Sequence, residues 1–320
     1  MDKQVCVIGG GYWGKNHIKT LYEMGNLGGI VETDKDRLDE HLSKYKVQGF
    51  LDLEDAIKQK FDGYVVATPA ATHYTIGKRL LEEGLNVLLE KPMALSSKHS
   101  KELVEIADRT NGRLMVGHVL LFHPAIKKIK ELVESGKVGK LHYLYSNRLN
   151  LGKVRTEENV FWSFAPHDIS ILDYLVGVPS LKVEAKGSKF LQENVFDMTM
   201  AQLKYPDDVH AHIFVSWLHP FKEHRLVVIG SKGMITFEDS SKEKNILYHN
   251  KHIDWVDGKP IKVEEPDEII PYAKGMPLTE ELKYFIENLD GSIDIASGKS
   301  GHEVVKVLET VQELITSKES

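Results

Sequence analysis

The chain reads as two parts of different class. A doubly wound α/β Rossmann domain with a parallel sheet comes first, then an α+β domain on a large, open, mostly antiparallel sheet. Three observations predict this. Through residue 118, short apolar runs alternate with amphipathic stretches; after about residue 120, long segments alternate apolar with polar residues; and a glycine pattern closes the first apolar run. The length of 320 residues suits two domains, because soluble domains cluster near roughly 150 residues. The boundaries read from these patterns are 1–120 for a nucleotide-binding domain and 121–320 for a substrate-binding and oligomerisation domain.

In the first part the apolar runs fall at 4–8, 29–31, 64–67, 87–89 and 114–116. Each is continuous rather than alternating, as parallel strands covered on both faces are. Between them lie helical spacings such as Leu21 with Met24, Ile76 with Leu80 and Leu81, and Leu103 with Val104 and Ile106. Strand–helix repetition of this kind implies right-handed crossovers and a parallel sheet. The second part opens with a helix from near Pro124 carrying Ile126, Ile129, Leu132 and Val133 on one face and ending at Gly136. Strands are expected over 141–145, 181–190, 198–205, 209–217 and 225–237, with the clearest alternation from Val209 to Trp217. The outer face of that sheet is aromatic, which fits a homodimer or homotetramer formed through it. Helices over 280–288 and 302–315 close the chain and pack within the second domain or back on the first.

Composition excludes several functions. Hydrophobic residues make up 42% and aromatic residues 8%, ordinary values for a globular protein and incompatible with long disorder. The net charge of −6, with no long run of Lys or Arg, argues against nucleic acid as a partner. One cysteine, Cys6, allows neither an intrachain disulfide nor a thiolate zinc site, and it falls in the first apolar run, where a core role is expected. No apolar run approaches the roughly 20 residues of a membrane-spanning helix, and the N-terminus lacks the pattern of a signal peptide, so the expected location is the cytoplasm.

The first apolar run meets Gly9, Gly11 and Gly14 in the spacing Gly-x-Gly-x-x-Gly, with Tyr12 and Trp13 between the last two. A strand before and a helix after give this pattern its meaning. Gly9 permits a tight turn, Gly11 lets the backbone approach a pyrophosphate, and Gly14 lets helix and strand pack closely. Glu32 stands 21 residues after Gly11 at the end of the next strand, where a carboxylate accepts hydrogen bonds from ribose hydroxyls and repels a 2′-phosphate. NAD is therefore expected over NADP. Asp34 takes this role if the strand runs two residues longer, and Lys35 and Arg37 keep some NADP use open.

Further along, Ala67-Thr68-Pro69-Ala70-Ala71-Thr72-His73 is followed by a helix and then by Val87-Leu88-Leu89-Glu90-Lys91-Pro92. With Gly11-Tyr12-Trp13-Gly14-Lys15-Asn16-His17, these residues resemble the glucose–fructose oxidoreductase and inositol dehydrogenase (Gfo/Idh/MocA) family over essentially the whole chain. The physical reading of the same positions is independent. Thr68 and Pro69 follow one strand, Glu90 and Lys91 the next, and ligands of open α/β sheets bind outside such strand ends. A lysine there can stabilise the alkoxide character that develops as hydride leaves an alcohol. The resemblance implies that role for Lys91. His73 either caps the next helix or sits near the nicotinamide.

An alcohol proton must also leave, and a histidine has the pKa suited to accept it. Among 15 histidines, His167 in Phe164-Ala165-Pro166-His167-Asp168 opens an apolar helical segment after a proline and resembles the family segment with its catalytic histidine. Many members have an aspartate four residues earlier, where this chain has Ser163, so Asp168 is the nearest acid to orient the imidazole. His210 and His212 share a strand face, but no third ligand has recognisable spacing, and no metal is expected. For the substrate, Arg148, Asn150 and Arg155, with Lys153 close by, offer amide and guanidinium groups suited to sugar hydroxyls, phosphate or carboxylate. Gly117 to Pro124, Asn147 and His167 resemble members that oxidise the 3-hydroxyl of UDP-N-acetylglucosamine or its uronic acid; the family often has an arginine where Leu121 stands. The expectation is an NAD-dependent dehydrogenase acting at C3 of a UDP-linked N-acetylhexosamine. An inositol or free-sugar dehydrogenase, a ketoreductase, and an inactive NAD-binding sensor or assembly protein are the alternatives.

Overall fold

The computed structural model describes residues 3–152 and 154–317. Contacts divide the chain into two compact units: residues up to Phe122 together with Gly275–Lys306, and His123–Lys274 together with the chain from Val307 onward.

The first unit begins β1 (Val5–Ile8), α1 (Gly14–Glu23), β2 (Leu27–Val31), α2 (Lys35–Lys44), β3 (Gln48–Phe50) and α3 (Leu53–Ile57). It continues β4 (Gly63–Val66), α4 (Ala70–Glu82), β5 (Val87–Glu90), α5 (Ser97–Thr110) and β6 (Leu114–Gly117). Among the described residues these strands form one six-stranded parallel sheet in the order β3-β2-β1-β4-β5-β6. β1, β4, β5 and β6 are buried at every position, which explains their unbroken apolar sequences. β3 is short and largely exposed, so it leaves no apolar run to read. Cys6 is fully buried in β1, and burial pushes its thiol far above the ordinary range.

The second unit holds α6 (Pro124–Glu134), β7 (Leu141–Leu149), α7 (Val160–Val176), β8 (Lys182–Ser188), β9 (Met198–Lys204) and β10 (His210–Ser216). Then come β11 (Glu223–Gly230), β12 (Met234–Glu238), β13 (Ile246–His249), β14 (Lys251–Val256), β15 (Lys259–Glu264) and β16 (Glu268–Ile270). Its main sheet has eight strands among the described residues, ordered β16-β13-β12-β11-β7-β10-β9-β8, and neighbours in it run antiparallel except β7 with β10. The segment 225–237, expected as one strand, is two strands joined through a tight turn in which Gly230 N donates to the Gly233 carbonyl. α7 packs on β7, β9 and β10, where Leu144, Ala201, Ala211, Ile213 and Val215 are buried. The other face carries Tyr143, Tyr145 and His212; the Tyr145 and His212 rings stack 4.9 Å apart, and the Tyr143 hydroxyl bonds His212 Nδ1. α8 (Pro277–Glu287) belongs to the first unit, and α9 (Gly298–Ser317) gives its first turns to the first unit and the remainder to the second.

α7 corrects one expectation. The helix does not open at His167; it begins seven residues earlier, at Val160, capped by Asn159, whose Oδ1 accepts the N–H groups of Phe161 (2.9 Å) and Trp162 (3.0 Å). Proline favours the first turn of a helix, which invites the misreading, but Pro166 lies inside α7. Among the described residues no helix is long and apolar enough to cross a membrane. Asn159→Ala removes the cap of this proline-weakened helix and is expected to lower stability by about 1 kcal/mol or more in urea unfolding of the full chain.

Candidate active site

The turn from β1 into α1 is shaped by two glycines. Gly9 has φ +93°, and a Cβ on Gly14 would stand 1.8 Å from the Gly9 carbonyl oxygen, so neither position tolerates a side chain. At Gly11 a Cβ would meet nothing within 4 Å, leaving an open approach to the N-terminal end of α1. A cleft of about 660 Å³ runs past Gly10, Gly11, Tyr12, Lys15, Arg37 and His41. Glu32 is bonded to two residues of that lining: the Gly10 N–H (2.9 Å) and the Arg37 guanidinium (3.0 Å) donate to its carboxylate, as does the Asp34 N–H (3.0 Å). Burial alone would raise the Glu32 pKa; these donors hold it below the usual carboxylate range. Asp34, the alternative ribose acid, is instead the N-cap of α2, accepting the Arg37 N–H at 3.1 Å. Bare backbone at a helix N-terminus beside an ionised acid fits the pyrophosphate and ribose of a dinucleotide.

Beyond this loop, one carboxylate gathers several elements. Glu90, the last residue of β5, accepts from Trp13 Nε1, from His17 Nε2 at 2.7 Å and from the Lys91 N–H at 3.1 Å. Burial opposes its ionisation, but His17 and Lys91 hold its pKa below the usual range. The Lys91–Pro92 peptide is cis, and the Pro92 carbonyl lies 2.8 Å from His73 Nδ1. His73 sits within α4 rather than capping it, and its Nε2 is 2.8 Å from the Thr68 carbonyl. One buried imidazole thus ties the loop after β4 to the loop after β5. The Thr68 hydroxyl is 2.7 Å from that of Thr72, and Pro69 precedes α4. His118, just after β6, is 1% exposed, and burial, with Lys91 adding to it, lowers its pKa to about 4.

In the second unit, Arg148 on β7 and Asp168 on α7 engage each other. Arg148 Nε donates to Oδ2 and NH2 to Oδ1, both at 2.9 Å, and Ser146 Oγ donates to Oδ1 at 2.6 Å. The sequence assigned Asp168 to steady His167 and Arg148 to meet an anion; here the acid lies under the sheet-facing side of α7 and the guanidinium is committed to it. His224 Nδ1 accepts from Arg148 NH1 at 3.3 Å, and burial, then the Arg148 charge, lowers the His224 pKa to about 4. His167 follows Pro166 in α7, and its carbonyl accepts from Ser170 Oγ. Asn150 and Arg155 lie between β7 and α7: the Asn150 N–H donates to the Ser216 carbonyl, and Arg155 pairs with Glu158 at 3.2 Å. Lys153 lies outside the described residues. His210 contacts Asp208 at 3.3 Å. The sequence did not single out His224 or Glu281 of α8, and His17 and His118 entered only as members of longer motifs; the fold is what brings each to its place.

The chain matches the oxidoreductase family model described as an NAD-binding Rossmann fold over residues 3–118, and the GFO/IDH/MocA C-terminal domain model over residues 126–236. It belongs to the Gfo/Idh/MocA family. As a member, it is an NAD-binding oxidoreductase of the class acting on CH–OH groups. Among the Gfo/Idh/MocA relatives, the UDP-N-acetylglucosamine 3-dehydrogenase of Acidithiobacillus ferrooxidans is 24% identical over 283 residues, 88% of this chain and 86% of that one. A structure of that enzyme superposes with TM-score 0.85 at 21% identity, covering 98% of this chain and 97% of that chain. The myo-inositol 2-dehydrogenase of Thermotoga maritima is 26% identical over 259 residues, 76% of this chain and 77% of that one. The WlbA dehydrogenase of Bordetella pertussis, in complex with NADH and UDP-GlcNAcA, superposes with TM-score 0.80 at 20% identity over 99% of this chain and 98% of that chain.

Two outcomes follow from this geometry. Asp168→Ala leaves the buried Arg148 guanidinium without its counter-ion and is expected to cost about 3–5 kcal/mol in denaturant unfolding. His118 and His224 stay neutral in the folded chain down to about pH 4, whereas an unfolded histidine takes up a proton near 6.5. The unfolded state therefore binds more protons between those values, and stability falls as pH drops through that window. His118→Gln should flatten this acid limb in unfolding curves measured at successive pH values.

Proposed function

We propose that this Gfo/Idh/MocA oxidoreductase oxidises a secondary alcohol of a sugar, C3 of a UDP-linked N-acetylhexosamine, to the ketone. NAD supplies the hydride acceptor. Lys91 hydrogen-bonds the reacting hydroxyl and stabilises the negative charge that grows on its oxygen. His167 accepts the hydroxyl proton. Glu32 selects NAD by binding ribose hydroxyls where a 2′-phosphate would be repelled. Gly9, Gly11 and Gly14, with Tyr12 and Trp13, hold the pyrophosphate turn, while Thr68, Pro69, His73 and Glu90 frame the nicotinamide end. Asn150 and Arg155 bind the substrate's polar groups. Arg148, locked by Asp168, acts by shaping the β7–α7 region. The observation that carries the reading is the anchoring of Lys91 at the end of a fully buried strand: its own N–H is held by Glu90 and the following Pro92 by His73. Such fixing suits a group that must meet a reacting oxygen while donor carbon and nicotinamide stand about 3–3.5 Å apart.

Inositol oxidation is the second reading, supported by the Thermotoga maritima relative. The outer face bearing Tyr143, Tyr145 and His212 is proposed as the surface of a homodimer or homotetramer.

The test is NAD reduction, followed by absorbance, with UDP-N-acetylglucosamine, its uronic acid, myo-inositol and free sugars. Turnover of a UDP-sugar is expected, with Lys91→Ala lowering kcat/KM by about 10²–10³-fold. Inositol turnover with no UDP-sugar turnover would overturn the substrate assignment. NAD binding with no effect of Lys91→Ala on any turnover would overturn the role of the lysine.

A further inference from the structure

Glu281 is fully buried in α8, and neither of its carboxyl oxygens has a hydrogen-bond partner. α8 packs on α1 and on the 3-10 turn Val119–Phe122 that follows β6. Those are the elements that carry His17 and adjoin His118, and both imidazoles are also buried with unpartnered nitrogens: Nδ1 of His17, and both nitrogens of His118. A bare α-carbon at Gly117 leaves room for the Glu90 carboxylate, which a Cβ there would approach to 3.0 Å. The first unit therefore contains a buried polar cluster around Glu90, to which α1 contributes His17, the end of β5 Lys91, the end of β6 His118 and α8 Glu281.

An unpaired carboxylate inside a protein is far less stable than the neutral acid. Burial, with the Glu90 charge adding to it, pushes the Glu281 pKa well above the ordinary carboxyl range. Glu90 differs because it has three hydrogen-bond donors and the nearby Lys91 ammonium. Two carboxyls in one buried site, one with donors and one without, share a single negative charge.

We propose that Glu281 is a positioning residue for Lys91: kept as the neutral acid, it leaves Glu90 as the one buried negative charge against which the Lys91 ammonium is set. Ionised, Glu281 would add a second negative charge to the cluster and weaken the positive potential that Lys91 offers a developing alkoxide.

The role for Lys91 rests on the function proposed above, but the protonation state of Glu281 does not, so the two are tested separately. In urea unfolding of the full chain at pH values from about 5 to 7, the unfolded Glu281 ionises and the folded one does not. The unfolding constant of the native protein should then rise relative to Glu281→Gln by about tenfold per pH unit. A difference that does not vary with pH would overturn the proposal. If Glu281→Gln does not fold, infrared spectra of the native protein in H₂O and D₂O decide the point. A protonated-carboxyl C=O band at neutral pH is expected, and its absence would overturn the proposal. With whichever alcohol proves to be the substrate, Glu281→Leu should lower kcat about tenfold or more with little change in KM, and Glu281→Gln, which keeps a neutral donor, should recover most of the loss. Equal kcat in the Leu and Gln variants would show a merely structural role and overturn the link to Lys91.

Discussion

The first unit depends on the carboxylate of Glu90. Its bonds reach the glycine turn through Trp13, the first helix through His17, and its own strand end through the Lys91 N–H. A buried anion with this many donors fixes the relative positions of the pieces that supply them, because losing any one leaves a polar group without a partner in a low-dielectric interior. The glycine turn after β1 and the Lys91 end of β5 are thus tied to one point rather than held by separate packing. His73 adds a second tie, between the Thr68 and Pro92 carbonyls, on the other side of Lys91.

The second unit uses the same device in a different place. Asp168 has no exposed surface and accepts from Nε and NH2 along one edge of the Arg148 guanidinium, and from Ser146. This joins the middle of α7 to the centre of the sheet, close in sequence to Pro166, where the helix lacks a backbone donor. A bidentate ion pair supplies at that point the directional restraint that the backbone ladder does not. In both units, then, charged residues that first reading assigns to ligands are partly occupied in fixing the framework around them.

Much of the fold was legible because burial writes itself into composition. Parallel strands with no exposed face must be apolar throughout, and β1, β4, β5 and β6 announce themselves in that way. Half-buried strands alternate, as β10 does from His210 to Ser216. Periodicity fails where a strand is short and exposed, as in β3, or where a tight turn interrupts an alternating run without breaking its phase, as between β11 and β12. The glycine turn was legible because Gly9 and Gly14 answer to steric limits that no other residue meets. The buried cluster around Glu90 was not, since His17, His118 and Glu281 are separated by whole helices and strands in the sequence. Nor was the Arg148–Asp168 pair: alternation tells which face of a strand a side chain takes, but not whether an acid waits on the helix beneath it.

The burial of Cys6 has a practical consequence. Its thiol lies wholly inside β1 and is held in the protonated, unreactive form. Maleimides and similar reagents require an accessible thiolate, so the native chain presents no target for them. A cysteine introduced at any exposed position would be the one addressable group on the folded protein, and fluorophores or spin labels could be attached there without first removing the natural residue from its strand.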